Sequence, residues 1–303
     1  MNNPVKIVIE EKLKNNDAFS ILFLGLSKNA GKTTALNYFL FQLQQLTTRT
    51  IVLLSTGYDG EETDAISGLP KPKIIVSAGN LFVTSQHAVE LKKDELRIVD
   101  SFPFQTPFGK VIMAEAVSNT TVPVISAGNN EQIDYVLQQI KSGYSNPIFL
   151  IDGSINRKAF LTLSLPDDLV VLSAGGASSA KIDELIDELK YYITLFRVPV
   201  KKEYNENYTF LETIDTDNAD SYKKSKIIIP DLTACFLSSA QYKYFLADGN
   251  ELYYQKKTAS VSMITFNPFN PTGKDLSRTK SLQVLQNRIA EIPIVDIHEL
   301  IAC

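Results

Sequence analysis

The alternation of apolar and polar residues in the first part of the chain predicts a strand, a loop, a helix and a second strand. Residues 21–24 form an apolar run of strand type, and residues 35–46 carry leucine and phenylalanine at helical spacing. Residues 50–55 are apolar through their centre, as in a strand that is buried on both faces of a sheet. These elements make one βαβ unit, which predicts a parallel sheet.

Further runs of the same two kinds predict that this sheet continues along the chain. Residues 5–10 alternate, and they fit either an edge strand or the start of a helix. The later elements expected are strands at 147–152, 169–174 and 260–266 and helices at 129–141, 180–195 and 281–290. We therefore expect an α/β fold with a mostly parallel central sheet.

Two segments depart from this rhythm. Residues 65–126 consist of short β-type runs between turns rich in proline and glycine, which predicts a β-rich insertion. Such an insertion carries substrate or partner contacts in some proteins and is a stabilising flap in others. Residues 199–226 are polar and acidic, and they predict a boundary or flexible connector. We expect a larger core over 1–198, which includes the β-rich insertion, and a small C-terminal portion over 199–303 that completes the same sheet.

The loop between the first strand and its helix has the residues of a phosphate-binding loop. It closes on Gly31, Lys32 and Thr33 directly before the helix. Backbone N–H groups and the positive helix N-terminus both favour a bound phosphate chain. Lys32 is expected to reach the outer phosphates, which makes it a candidate catalytic residue, and the Thr33 hydroxyl is expected to bind Mg²⁺. The expected nucleotide-binding residues of the loop are Ser27, Lys28, Asn29, Ala30, Gly31, Lys32, Thr33 and Thr34.

The spacing of this loop differs from the common GxxxxGK[ST] pattern. That pattern requires glycine at position 26, where this chain has Leu26, and Gly25 stands one residue early. Either the loop is one residue longer, or a residue other than glycine makes its first turn.

Two carboxylates are candidates for catalysis and for binding Mg²⁺. Asp152 follows four apolar residues at the end of a predicted strand, which is the Walker B pattern. Asp59 lies in the acidic loop 55–64 after the second strand, where loops line the ligand crevice of an open α/β sheet. Either aspartate can instead be an ordinary turn former.

Asn267 follows a late strand, at a position where its amide can pair with the edge of an adenine base. The alternative is a turn bracketed by prolines. The guanine-reading NKxD pattern is absent from the sequence, which favours ATP over GTP.

Composition narrows the class of protein. A formal net charge of −4 argues against binding to nucleic acid. No apolar run reaches the length of a membrane span, and the first residues lack a signal-peptide core. Cys235 and Cys303 have no CxxC partner, and with two histidines a zinc site is improbable. We expect free thiols and a cytoplasmic protein.

Several strings together resemble the ATPase subunit of a reactivase for cobalamin-dependent lysine or ornithine aminomutases. They are residues 24–34, 56–64, 151–158, 172–177 and 265–268. More broadly, the chain is similar to the P-loop ATPases grouped with dethiobiotin synthetase. The resemblance implies a P-loop NTPase-type three-layer sandwich. It also implies that ATP drives a conformational step on a partner protein, which in such systems releases a damaged cofactor.

Two other functions fit the same residues. The chain could be an ATP-dependent small-molecule kinase or ligase whose acceptor pocket is formed by residues 65–126. It could also be a binding module that responds to a nucleotide without useful turnover.

Overall fold

The computed structural model describes residues 3–56, 73–124, 128–154, 169–256 and 259–300. The helices within these ranges are α1 (Pro4–Leu13), α2 (Lys32–Leu46), α3 (Gln86–Glu90), α4 (Asn130–Gly143), α5 (Ile182–Phe196), α6 (Thr216–Ala219), α7 (Ser239–Ala247) and α8 (Arg278–Arg288). The strands are β1 (Phe19–Gly25), β2 (Ile51–Ser55), β3 (Ile74–Val76), β4 (Leu81–Ser85), β5 (Leu96–Thr106), β6 (Gly109–Ala116), β7 (Thr120–Val122), β8 (Ile148–Ser154), β9 (Leu169–Gly175), β10 (Tyr208–Phe210), β11 (Lys226–Ile229), β12 (Glu251–Tyr254), β13 (Ser260–Asn267) and β14 (Ile294–Asp296).

A large twisted sheet runs through the centre of the fold. In the described residues its strand order is β14-β13-β9-β1-β8-β2-β4-β6-β5. The pairings from β14 to β4 are parallel, and only β6 and β5 at one edge are antiparallel. This arrangement confirms the predicted α/β class with a mostly parallel central sheet.

Alternating side chains of β1 show why the sheet has helices on both faces. Phe19, Ile21 and Phe23 pack with the apolar residues of α1 and α2. Leu22 and Leu24 point the other way and pack with those of α4 and α5. Because successive residues of a strand face opposite sides, a strand that is apolar at every position is buried between two layers. The result is the expected three-layer sandwich.

The predicted β-rich insertion contains strands that belong to the central sheet. β4 pairs in parallel with β2, and β6 and β5 extend the sheet beyond it. Only β3 and β7 form a separate antiparallel pair. The pairing of these strands with the central sheet could not be predicted from their short, irregular sequences.

The C-terminal portion divides between two sheets. β13 and β14 belong to the central sheet, whereas β10, β11 and β12 form a small parallel sheet of their own. Residues 199–226, which were predicted as a boundary or connector, contain β10 and α6. Ile227 and Ile229 of the small sheet are fully buried in the same apolar cluster as Leu22 and Leu24, so the sheet packs onto the α5 side.

The ambiguous segment near the N-terminus is helix α1. The Asn3 side chain accepts hydrogen bonds from the backbone N–H groups of Val5 and Lys6, and Pro4 occupies the first helical position. Both features are typical of a helix start, and they decide against an edge strand. No helix in the described part of the chain is long and apolar enough to cross a membrane.

Candidate functional site

The candidate site lies at the carboxyl ends of the central strands β13, β9, β1 and β8, which are adjacent in the sheet. From β1 the chain proceeds through α2 to β2 on one side, while β9 leads on to β13 on the other. Such a reversal in strand order opens a crevice at the carboxyl edge of an open α/β sheet, where ligands bind. The candidate site residues lie at or near this edge.

The phosphate loop runs from the end of β1 at Gly25 to the start of α2 at Lys32. Two of its residues have left-handed backbones, Asn29 with φ 62° and Gly31 with φ 95°. No side chain caps α2, and its first turn contains no acidic residue. The N–H groups at this helix start are therefore available to an anion, which the helix dipole also favours.

The position of Gly25 bears on the unusual spacing of the loop. A methyl group built on Gly25 would lie 3.1 Å from the backbone oxygen of Ser27 and 3.8 Å from the Cβ atoms of Ala30 and Lys32. The returning loop thus passes close over Gly25. Leu26 is buried, and its N–H donates to the backbone oxygen of Ser173, 2.9 Å away. Gly25 therefore makes the close approach, and the loop is one residue longer than the common pattern.

Lys32 and Asp152 meet at the centre of this edge. Ile148 and Leu150 of β8 face the α2 side of the sheet, and Asp152 continues that alternation, so its carboxylate lies under the start of α2. The Nζ atom of Lys32 contacts Oδ1 of Asp152, which is 7% exposed. The structure thus brings together two predicted site residues that are 120 positions apart.

The remaining loop residues differ in exposure. Lys28 is exposed, Ala30 is buried, and Ser27, Thr33 and Thr34 are half-buried. The Ser27 Oγ atom lies 2.9 Å from Oγ of Ser178.

The oxygen atoms near the loop suit Mg²⁺ better than a metal ion that takes all of its ligands from protein side chains. In the described part of the chain, no group of three or more histidine, cysteine or acidic residues is arranged to hold a metal ion. Mg²⁺ usually takes one or two protein ligands together with waters and phosphate oxygens. The Thr33 hydroxyl and the Asp152 carboxylate are oxygen groups of the kind that bind Mg²⁺ in this way.

Asn267 lies at the end of β13 and is turned toward the phosphate loop. Its Nδ2 atom donates to the backbone oxygen of Asn29 at 2.9 Å, and its Oδ1 accepts from the N–H of Phe269 at 3.2 Å. Both ends of the amide that was expected to read a base are hydrogen-bonded within the protein.

Two contacts to the loop were missed by the sequence reasoning. Ser178 belongs to the turn after β9 and was not among the predicted site residues. A methyl group on Gly175 in that turn would lie 1.7 Å from the backbone oxygen of Asn267, so the paired glycines mark a close crossing of two loops. The other is Ile297, in the 3-10 turn Ile297–Glu299 after β14, whose side chain packs beside Gly31. No local sequence pattern identified Ile297 as a residue of the site.

Asp59, predicted to bind the metal, lies outside the described residues. Within the predicted acidic loop 55–64, Thr56 is described: its N–H donates to the backbone oxygen of Asp152 at 2.8 Å, and its hydroxyl does so at 3.2 Å. Thr56 therefore lies beside Asp152. Cys303 also lies outside the described residues, whereas Cys235 is buried and forms no disulfide bond within them.

No family model matches the chain, and no curated protein matches it. Among solved structures, the chain is similar to the crystal structure of a ParA family ATPase from Chlorobium tepidum TLS. The match has a TM-score of 0.37 and 10% sequence identity, and it covers 93% of this chain and 84% of that chain. The site described above rests on the geometry of this chain alone.

Proposed function

We propose that this chain is a P-loop ATPase that binds ATP with Mg²⁺ at the loop between β1 and α2 and hydrolyses it. The observation that carries the proposal is the meeting of Lys32 and Asp152 beneath an uncapped helix start. A lysine, a carboxylate and free N–H groups converging at the carboxyl edge of a parallel sheet suit a phosphate chain and its metal better than any other ligand class.

Each residue has a role that follows from its position. The backbone N–H groups of residues 27–33 would hold the phosphates, and Lys32 would exchange its contact with Asp152 for the outer phosphates. Thr33 and Asp152 would hold Mg²⁺, with Asp59 assisting the metal or the attacking water. When bound, the metal supplies charge neutralisation for the leaving and transferred phosphoryl groups. The protein contributes positioning and fixed dipoles, which are the main sources of rate in phosphoryl transfer.

We further propose that hydrolysis acts on a partner protein, in the manner of a chaperone or reactivase. The support for this step is the sequence resemblance to reactivases of cobalamin-dependent aminomutases. The kinase or ligase alternative requires a small-molecule acceptor, and the binding-module alternative requires no turnover at all.

Phosphate release from ATP tests these proposals together. We expect slow release with Mg²⁺, none with excess chelator, and faster release when an aminomutase of this class is added. Stimulation by a small-molecule acceptor with transfer of the phosphoryl group would support the kinase or ligase function instead. ATP binding without release under any of these conditions would contradict the ATPase.

A further inference from the structure

The phosphate loop is held from outside by two residues of the C-terminal strands. The side chain of Asn267, at the end of β13, donates to the backbone oxygen of Asn29 at 2.9 Å. A methyl group built on Gly31 would lie 3.0 Å from Cγ1 of Ile297 and 3.7 Å from Cβ of Asn267. The two contacted loop residues are those with left-handed backbones.

Both holding residues are themselves fixed in place. Asn267 accepts from the N–H of Phe269 through Oδ1, and its backbone oxygen accepts from the N–H of Gly176 at 2.9 Å. Ile297 is 3% exposed and follows Asp296, which is 1% exposed. The Asp296 carboxylate accepts from the N–H of His298 at 2.9 Å and contacts Nε of Arg278 at the start of α8. A side chain with its own rotamer fixed in this way can fix its neighbour.

We propose that Asn267 and Ile297 are positioning residues that keep the phosphate loop in its anion-binding shape. A left-handed backbone is a local cost for Asn29, and it persists because surrounding contacts over-determine it. The Asn267 hydrogen bond orients the peptide after Asn29, and Ile297 closes the space into which Gly31 would otherwise relax. The proposal rests on the proposed ATP site, and it assigns Asn267 to the loop rather than to the base.

A base-free ligand separates positioning from base reading. We would titrate ATP, GTP and inorganic tripolyphosphate into the wild type, Asn267→Ala and Ile297→Ala by calorimetry. Asn270→Ala is the matched control for the first variant, because Asn270 lies three residues away in the same loop and its Oδ1 bonds Thr272. Ile292→Ala is the control for the second, because Ile292 is equally buried but belongs to the apolar cluster on the opposite face.

The positioning role predicts that each variant loses affinity for all three ligands to a similar extent, by about tenfold. The controls should bind all three ligands with wild-type affinity, even where their melting temperatures are lowered as far as those of the tested variants. A loss confined to ATP in Asn267→Ala would overturn the proposal, because it would show that the amide reads the base. Unchanged affinity in both variants would also overturn it.

Hydrogen exchange supplies a readout that does not depend on a nucleotide. The amides of residues 28–34 should exchange faster in Asn267→Ala and Ile297→Ala than in the controls, because the loop opens locally. Exchange at wild-type rates would refute positioning. If the wild type binds none of the three ligands, the proposed ATPase function fails, and the exchange rates still decide whether the two residues hold the loop. Should Ile297→Ala not fold, Ile297→Val removes a single methylene and is read in the same way.

Discussion

The ammonium group of Lys32 contacts the carboxylate of Asp152, joining the first turn of α2 to the end of the neighbouring strand β8. Lys32 has a side-chain exposure of 21%, and Asp152 has one of 9%. A buried ion pair of this kind offers little net stability, because desolvation offsets much of the attraction. In the proposed site, bound phosphate would replace Asp152 as the partner of Lys32 and leave the carboxylate for the metal.

Asp152→Asn should spare ATP binding and suppress hydrolysis. The substitution frees Lys32 for the phosphates, so affinity should be unchanged or higher. Phosphate release should fall by about 100-fold, because the proposed Mg²⁺ site loses its charged ligand. Phosphate release and calorimetry on the same preparation measure both effects.

Asp231→Asn is the matched control, since Asp231 is a buried aspartate just after strand β11 of the small sheet. It should hydrolyse ATP at the wild-type rate. Unchanged hydrolysis in Asp152→Asn would remove Asp152 from the metal site.

Gly31→Ala should lower the free energy of unfolding more than the same substitution at Gly79, a glycine with a similar positive φ. Gly79 has φ 89° and nothing within 4 Å of a built methyl group, whereas Gly31 has φ 95° and Ile297 at 3.0 Å. Gly79→Ala should therefore cost only the backbone strain, about 1 kcal/mol. Gly31→Ala should cost more in urea unfolding and also weaken ATP binding. Equal costs in the two variants would show that Ile297 does not pack against the loop as described.

Glu188→Gln should stabilise the protein at neutral pH. Burial raises the pKa of the Glu188 carboxyl on α5, so the folded state holds its proton more tightly than the unfolded chain does. The stabilisation from this tighter proton binding is fully present below the unfolded pKa of about 4.3. It is lost as the pH rises through the raised pKa of the folded state. The melting temperature of Glu188→Gln should exceed that of the wild type by about 2 °C at pH 7 and equal it near pH 4.

Replacing Glu184, on the same helix, should change the melting temperature at pH 7 in the opposite direction. Hydrogen bonds from Lys181 and then Ser179 lower the pKa of Glu184, so its contribution is present at neutral pH and lost on acidification. Glu184→Gln should thus lower the melting temperature at pH 7. Parallel shifts in the two variants would contradict this account of α5.

Tyr254→Phe should raise the free energy of unfolding by about 1 kcal/mol. Among the described residues, Tyr254 has a buried hydroxyl without a hydrogen-bond partner. The matched control is Tyr191, which is in the same apolar cluster and donates to the backbone oxygen of Leu237. Tyr191→Phe should lower the free energy of unfolding by a similar amount, and chemical denaturation measures both. Destabilisation by Tyr254→Phe would mean that its hydroxyl has a partner, such as a buried water.

The sequence was most informative where local pattern and long-range structure coincide. β1, α2 and β8 were predicted because buried parallel strands are apolar throughout and the phosphate loop has its own residue signature. The same alternation that buries Ile148 and Leu150 also places Asp152 on the α2 face. The sequence predicted Lys32 and Asp152 for the same site, and the structure adds the contact between them.

Other features depended on contacts between distant segments. Asn267 was singled out for its place after a strand, but its bond to Asn29 spans 238 positions and leaves no mark in the sequence. Ile297 is one apolar residue among many near the C-terminus, and its role is visible only because Gly31 lies beside it. The role of Asp59 stays a prediction.

Calorimetric titration of ATP with Mg²⁺ into the wild type and Lys32→Ala tests the central claim most directly. The account predicts micromolar binding to the wild type and no detectable binding to Lys32→Ala, because the variant loses the cation that neutralises the phosphate chain. Micromolar affinity retained by Lys32→Ala would contradict a phosphate site between β1 and α2.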